Sequence, residues 1–130
     1  MDLQGLLREF GREYEVPGGF ATEDPELFEI PLEEGLAVQL TTGDREFVLT
    51  STFVDCPEEG EEELYEQMML ANLFGQGTSG GILAITENGK QIKLTKAIPN
   101  DVVYDDFRNG LEDFMNSVFF WRDEAKEASR

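Results

Sequence analysis

This sequence predicts an α+β fold, with an antiparallel twisted sheet flanked by helices in the order α-β-β-β-α-β-β-α. Three observations carry that reading. Apolar residues recur at helical spacing in three separate stretches, and short runs rich in β-branched and aromatic residues lie between them. The connections between successive strands are too short for parallel crossovers, which leaves antiparallel pairing. Helices and strands are segregated along the chain rather than alternating singly, which is the α+β arrangement. The 130 residues fit a single domain, residues 1–130. A chain of this length buries about two thirds of the surface its unfolded form exposes.

Residues 2–14 read as an amphipathic helix, with Leu3, Leu6, Leu7, Phe10 and Tyr14 on one stripe. Pro17-Gly18-Gly19 ends it. Three strands follow, at 27–32, 36–40 and 47–54. Glu33-Glu34-Gly35 and Thr42-Gly43-Asp44-Arg45 serve as their turns. Phe47, Leu49 and Phe53 share one face of the third strand. Pro31 has no N–H to give a ladder, so the first strand belongs at an edge or stops early. Residues 61–74 form a second helix, whose Glu61, Glu62 and Glu63 suit the positive end of its dipole. A hairpin at 82–87 and 91–98 bends at Asn88-Gly89. Asn100 and Asp101 are N-cap candidates for a last helix over 102–125, with a polar, frayed tail. Val103, Phe107, Leu111, Phe114, Val118 and Trp121 make its stripe, and Phe120 falls off it. Gly110 in its middle costs about 1 kcal/mol relative to alanine.

The charge balance excludes several functions. Twenty-eight Asp and Glu face ten Lys and Arg, a net charge of -18. Such a surface repels phosphate backbones and anionic lipid, which argues against nucleic acid and membrane partners and favours a basic protein. The same acidity also serves solubility. There is no histidine and one cysteine, Cys56. A Cys–His nucleophile pair and an intrachain disulfide are therefore both excluded, and Cys56 reads as a small half-buried hydrophobe. No stretch has signal-peptide character or the length of a membrane span, so the expected location is the cytoplasm. No carboxylate pair stands out as catalytic, and no cofactor or metal is expected. Glu61, Glu62 and Glu63 lack any accompanying thiol or imidazole ligand. Asp101, Asp105 and Asp106 suit a helix start better than a calcium loop.

Gly75-Gln76-Gly77-Thr78-Ser79-Gly80 matches a dinucleotide-binding spacing. Here it follows a helix and opens a strand, the reverse of the context that binding needs, so it reads as a structural turn. The second helix is more informative. At 100° per residue Leu64, Met68 and Ala71 cluster, Tyr65 and Met69 lie beside them, Leu73 lies opposite, and Leu70 and Phe74 take a third side. A helix apolar nearly all round is buried on more than one face. In a domain this small, the second face is expected to meet another chain.

The run Met69-Leu70-Ala71-Asn72-Leu73-Phe74-Gly75-Gln76-Gly77-Thr78-Ser79-Gly80-Gly81-Ile82-Leu83 closely resembles the central segment of the class I type III secretion chaperones, the CesT or Tir chaperone family. Ser79 stands where that pattern has a glycine. Lys96-Ala97-Ile98-Pro99 and Phe120-Trp121-Arg122 also resemble the family, as do the element order and the acidity. The resemblance implies a dimeric bacterial cytoplasmic chaperone without ATPase activity. Such a protein binds an extended N-terminal segment of a secreted effector, keeps it secretion-competent and presents it to the export apparatus. The second helix and the following strand would form the dimer interface, with Met69, Leu70, Leu73, Phe74, Ile82 and Ile85 as its candidate residues. Leu7, Phe10, Phe28, Ile30, Val38 and Phe47 are the candidates for effector binding. The dimer can be a homodimer or a heterodimer with a related chaperone. The alternatives are a regulatory module of the same fold that sequesters a non-secreted regulator, and, more remotely, a small carboxylate enzyme.

Overall fold

The computed structural model of the protein describes residues 2–75 and 77–128. Gln76 of the glycine-rich loop lies outside the described residues. Eight elements follow one another: α1 (Leu3–Glu13), β1 (Leu27–Glu33), β2 (Leu36–Thr42), β3 (Glu46–Asp55), α2 (Glu61–Phe74), β4 (Ile82–Ile85), β5 (Gln91–Pro99) and α3 (Tyr104–Ala128). The strands form one open sheet in the order β1-β2-β3-β5-β4, antiparallel at every step. The α+β class and element order are those expected from the sequence.

Strand alternation builds the core. Ile30, Val38, Leu40, Phe47, Leu49, Phe53, Leu83, Ile92, Leu94 and Ile98 are buried in a single cluster with the apolar faces of all three helices. The intervening residues Gln39 and Thr52 are exposed on the opposite face. In α3, Phe107, Leu111, Phe114 and Val118 recur every three or four residues and are fully buried. Phe107 meets Phe47 edge to face, with ring centroids 6.1 Å apart. Gly110 is explained by closeness. A methyl there would lie 3.1 Å from Ile98 Cδ1, so its absence lets α3 settle onto β5. Lys96, on the core face of β5, lies beside this contact. Its Nζ reaches Gly110 O at 3.5 Å, and burial holds its ammonium below the usual lysine range, against the opposing pull of Asp113.

Several boundaries differ from expectation. β4 ends at Ile85 rather than 87, because Thr86 Oγ1 bonds Asn88 Oδ1 and Gly89 N donates back to Thr86 O, forming a turn first. α3 begins at Tyr104, so Asn100 and Asp101 lie in a turn before it. Val103 is not a core residue of the stripe. It precedes the helix, 64% exposed, and its carbonyl takes the bond from Phe107 N. The tail expected to fray continues as helix to Ala128, with Ala125 buried.

Pro31 sits on an edge strand. Glu29 N donates away from β2, to Phe20 O at 2.9 Å. By alternation the nitrogen of Pro31 also faces outward, so its missing N–H costs the β1–β2 ladder nothing. At the other edge, β4 is closed by a side chain of α2. Asn72 Nδ2 donates to Leu83 O, and Leu83 N donates to Asn72 Oδ1, both at 2.8 Å. One amide thus takes the place of a neighbouring strand.

Two clasps fasten the helices elsewhere. Glu13 of α1 accepts from Tyr104 Oη and from Arg108 Nη1. The Tyr104 hydroxyl, more than the Arg108 charge, holds the Glu13 carboxyl below its ordinary range. Arg122 pairs with Glu33 at the end of β1 and covers the Phe119 ring.

Replacing Asn72 with alanine (Asn72→Ala) should cost about 1–3 kcal/mol in denaturant unfolding, since it leaves both backbone groups of buried Leu83 without partners. An unchanged unfolding midpoint would contradict the closing role given to Asn72.

Candidate protein-binding surfaces

α2 ends at Gly75, which takes the left-handed conformation (φ 72°) and donates its N–H to Ala71 O at 2.7 Å. The chain then turns through the glycine-rich loop into β4. That loop is fastened to α3, where Trp121 Nε1 donates to Gly77 O at 2.8 Å and the Ser79 and Ser117 hydroxyls lie 3.1 Å apart. Gly81 N closes onto Thr78 O at 2.8 Å. The carbonyl of Gly77 and the amide of Gly81 are therefore committed inside the protein, as expected of a structural turn.

Leu64, Met68 and Ala71 face inward, which is the cluster the helical wheel gives. The rest of the helix is apolar but uncovered: Met69 is 70% exposed, Leu70 49%, Leu73 74% and Phe74 67%. Ile82 and Ile85 of β4 are also exposed, on opposite faces of the strand that Asn72 borders. All six residues expected at a dimer interface thus stand in the open. On the other flank Leu70, Ala71, Phe74, Phe120 and Trp121 line a cleft of about 430 Å³ between α2 and α3. Phe120 is half exposed and meets Trp121 edge to face, with ring centroids 5.3 Å apart. The Trp121–Gly77 bond holds this aromatic pair in place. A contiguous apolar surface of this kind marks a protein contact.

The six effector-binding candidates divide sharply. Leu7, Phe10, Ile30, Val38 and Phe47 are buried in the chain's own core, each under 6% exposed. Phe10, Ile30, Val38 and Phe47 offer no surface to a peptide in this conformation. Apolar periodicity marks which residues turn inward without separating core from groove wall. Leu7 and half-buried Phe28 do come together, on either side of a small groove of about 160 Å³ between α1 and β1. Phe20 also lines this groove, and the sequence reading missed it. A single phenylalanine after Pro17-Gly18-Gly19 carries no periodic signal.

Among the described residues no group of His, Cys, Asp and Glu is placed to hold a metal ion. No helix among them is long and apolar enough to cross a membrane. Cys56 is half-buried. Its hydrogen bond to Tyr65, together with burial, pushes the Tyr65 hydroxyl up to about 12.

Comparison with known proteins agrees with this picture. The sequence model of the Tir chaperone protein (CesT) family matches residues 5–122. The Chlamydia pneumoniae protein CPj0713/CpB0740 is 28% identical over 121 residues, covering 92% of each chain. The fold is similar to that in the crystal structure of the ExsC–ExsE complex, with a TM-score of 0.70 at 18% identity over 96% of this chain and 97% of the other. It is also similar to the Yersinia pestis type III secretion chaperone SycH in complex with a stable fragment of YscM2. There the TM-score is 0.68 at 18% identity, over 91% and 98% of the two chains.

The division between core and groove is open to measurement. Phe47→Ala should cost about 3–5 kcal/mol in denaturant unfolding. Phe28→Ala, at a half-buried position, should cost less than half as much. Equal losses would place Phe28 in the core.

Proposed function

Because the chain belongs to the Tir chaperone protein (CesT) family, we propose that it is a dimeric cytoplasmic chaperone of a bacterial type III secretion system. It binds an extended N-terminal segment of a secreted effector, keeps that segment secretion-competent and helps deliver it to the export apparatus. The chain is a binding protein rather than an enzyme. The observation that carries the reading is the uncovered apolar surface of α2 and β4 on a protein of net charge -18. Fully burying one Leu, Ile, Met or Phe side chain is worth about 1.5–3 kcal/mol. Six such side chains left in water favour a partner strongly.

A second copy fits the α2 face. A two-fold axis near Leu73 brings the same residues together from both chains. The N-terminal half of α2 carries Glu61, Glu62, Glu63 and Glu66. Like charges there oppose side-by-side packing along the whole helix. The contact therefore centres on residues 69–74, with β4 beside them, and the acidic halves diverge. A related chaperone with the same apolar face would fit equally well as a heterodimer partner. A homodimer then presents two α1–β1 grooves, where Leu7 and Phe28 receive an apolar side chain of the effector segment. Peptide recognition at a sheet edge gains affinity from main-chain bonds and selectivity from such pockets.

Leu73→Glu should turn the dimer into monomers in light scattering, with the far-ultraviolet circular dichroism spectrum retained. An unchanged dimer would remove α2 from the interface. Two chains of net charge -18 repel, so the wild-type dissociation constant should fall as salt rises. A dissociation constant that rises with salt would mean that attraction between charges, not apolar burial, holds the copies together. The function itself is tested by affinity purification of the tagged chain from its native cells. Stoichiometric co-elution of a secreted protein, lost when that protein's N-terminal segment is deleted, is the expected result. Recovery of only non-secreted regulators would overturn the effector assignment.

A further inference from the structure

The two edges of the sheet are closed by different means. At β4 the outward N–H and C=O of Leu83 are both taken by Asn72, which belongs to the rigid helix α2. At β1 they are taken by residues 20–24 of the α1–β1 connection. Glu29 N donates to Phe20 O at 2.9 Å, Leu27 N donates to Asp24 O at 3.1 Å, and Thr22 Oγ1 donates to Leu27 O at 2.9 Å. Ala21 and Phe28 form an isolated antiparallel bridge. This connection therefore behaves as one short stretch of added strand.

Phe20 anchors it. The ring is 6% exposed, with its centroid 6.0 Å from that of Phe10. Its Cε2 lies 3.4 Å from the point where a Cβ on Gly11 would stand, so the ring packs closely against α1 there. Phe20 fills the inner end of the groove lined by Leu7 and Phe28. Between the turn that Val16 N closes onto Gly11 O and the anchor stand Pro17, Gly18 and Gly19. Every residue from Arg12 to Gly19 is exposed. Gly18 and Gly19 have φ values of +86° and +71°, and a Cβ on either would meet nothing within 4 Å. A segment with one apolar anchor, few bonds to the sheet and a free glycine pair beside it can open without unfolding the rest.

We infer that residues 18–24 are a displaceable strap that closes the β1 edge by imitating the segment it gives way to. Phe20 occupies the slot for a large apolar or aromatic side chain of the incoming peptide. The carbonyl of that same peptide residue takes over the bond from Glu29 N–H. The incoming segment is extended and carries lysine or arginine outside the slot itself, because the protein as a whole has a net charge of -18, whereas the charged side chain lining the groove is Arg8. The identity of that segment as effector rests on the chaperone reading above, whereas the strap itself does not.

The test uses the full-length chain and two synthetic peptides. One has the sequence of residues 17–26, and the other has the same sequence with Glu23→Lys and Asp24→Lys. Amide hydrogen exchange read by NMR on the wild type comes first. Opening of the strap exposes Glu29 N–H but not Ile30 N–H, which alternation directs into the β1–β2 ladder. Glu29 should therefore exchange at least about tenfold faster than Ile30. Both peptides should bind Phe20→Ala at least about tenfold more tightly than wild type, because the internal competitor is gone. The lysine-bearing peptide should bind the more tightly of the two, by a margin that shrinks with salt. Glu29 exchanging as slowly as Ile30 would overturn the inference, and this readout stands even if Phe20→Ala fails to fold. Equal binding of the peptides to wild type and to a folded Phe20→Ala would also overturn it. Neither readout uses a secreted protein, so a failed co-purification and a failed strap are told apart.

Discussion

The orientation of α2 depends on the paired hydrogen bonds between the Asn72 amide and the backbone of Leu83. Leu64, Met68 and Ala71 alone would hold the helix against the core through a non-directional force. A bidentate amide contact is directional, and it fixes the rotation of the helix about its axis. With Asn72 turned toward β4, Leu73 points away from the domain and Leu70 and Phe74 turn toward α3. The same two bonds close the edge of β4, which would otherwise present an unpaired N–H and C=O to any neighbouring strand. One asparagine thus sets both the composition of the exposed apolar face and the way another chain can meet it, through side chains rather than by extending the sheet.

Apolar surface and strong acidity act against each other here in a useful way. A net charge of -18 makes random encounters between molecules repulsive and keeps the protein dispersed. Beyond roughly 8 Å at physiological ionic strength that repulsion is screened, and close contact is decided by the fit of apolar side chains. Most of the exposed large apolar residues gather in the C-terminal half of α2, β4 and Phe120, away from the glutamates that open α2, while Tyr14, Val16 and Val103 stand apart, so the protein stays dispersed and still offers an adhesive face. The β1 edge is handled by its own chain, through the segment around Phe20, so the two surfaces differ in how readily they are uncovered.

Much of this was legible in the sequence. The periodicity of α1 and α3 and the turns at Gly35 and Asn88-Gly89 give the element order, and the all-round apolarity of α2 gives a face with no partner inside the domain. Position 31 read correctly as an edge because proline chemistry is local. What was not legible depends on distance along the chain. Phe10, Ile30, Val38 and Phe47 read as binding residues because apolar periodicity marks an inward face without saying what covers it. Phe20 went unread because its role comes from α1 and β1 closing around it, and Val103 looked helical because the helix start is set by a turn bonded to Arg45. The family-like run from Met69 to Leu83 pointed to α2 and β4, while the function of Asn72 within it became visible only with Leu83 in place.

The most direct test of the account is sedimentation equilibrium of the purified full-length chain over a wide concentration range. The account predicts a mass twice the 14.7 kDa of one chain, because the face that Asn72 turns outward is covered by a second copy. A mass of 14.7 kDa at every concentration would contradict it and leave the α2 face to a different partner.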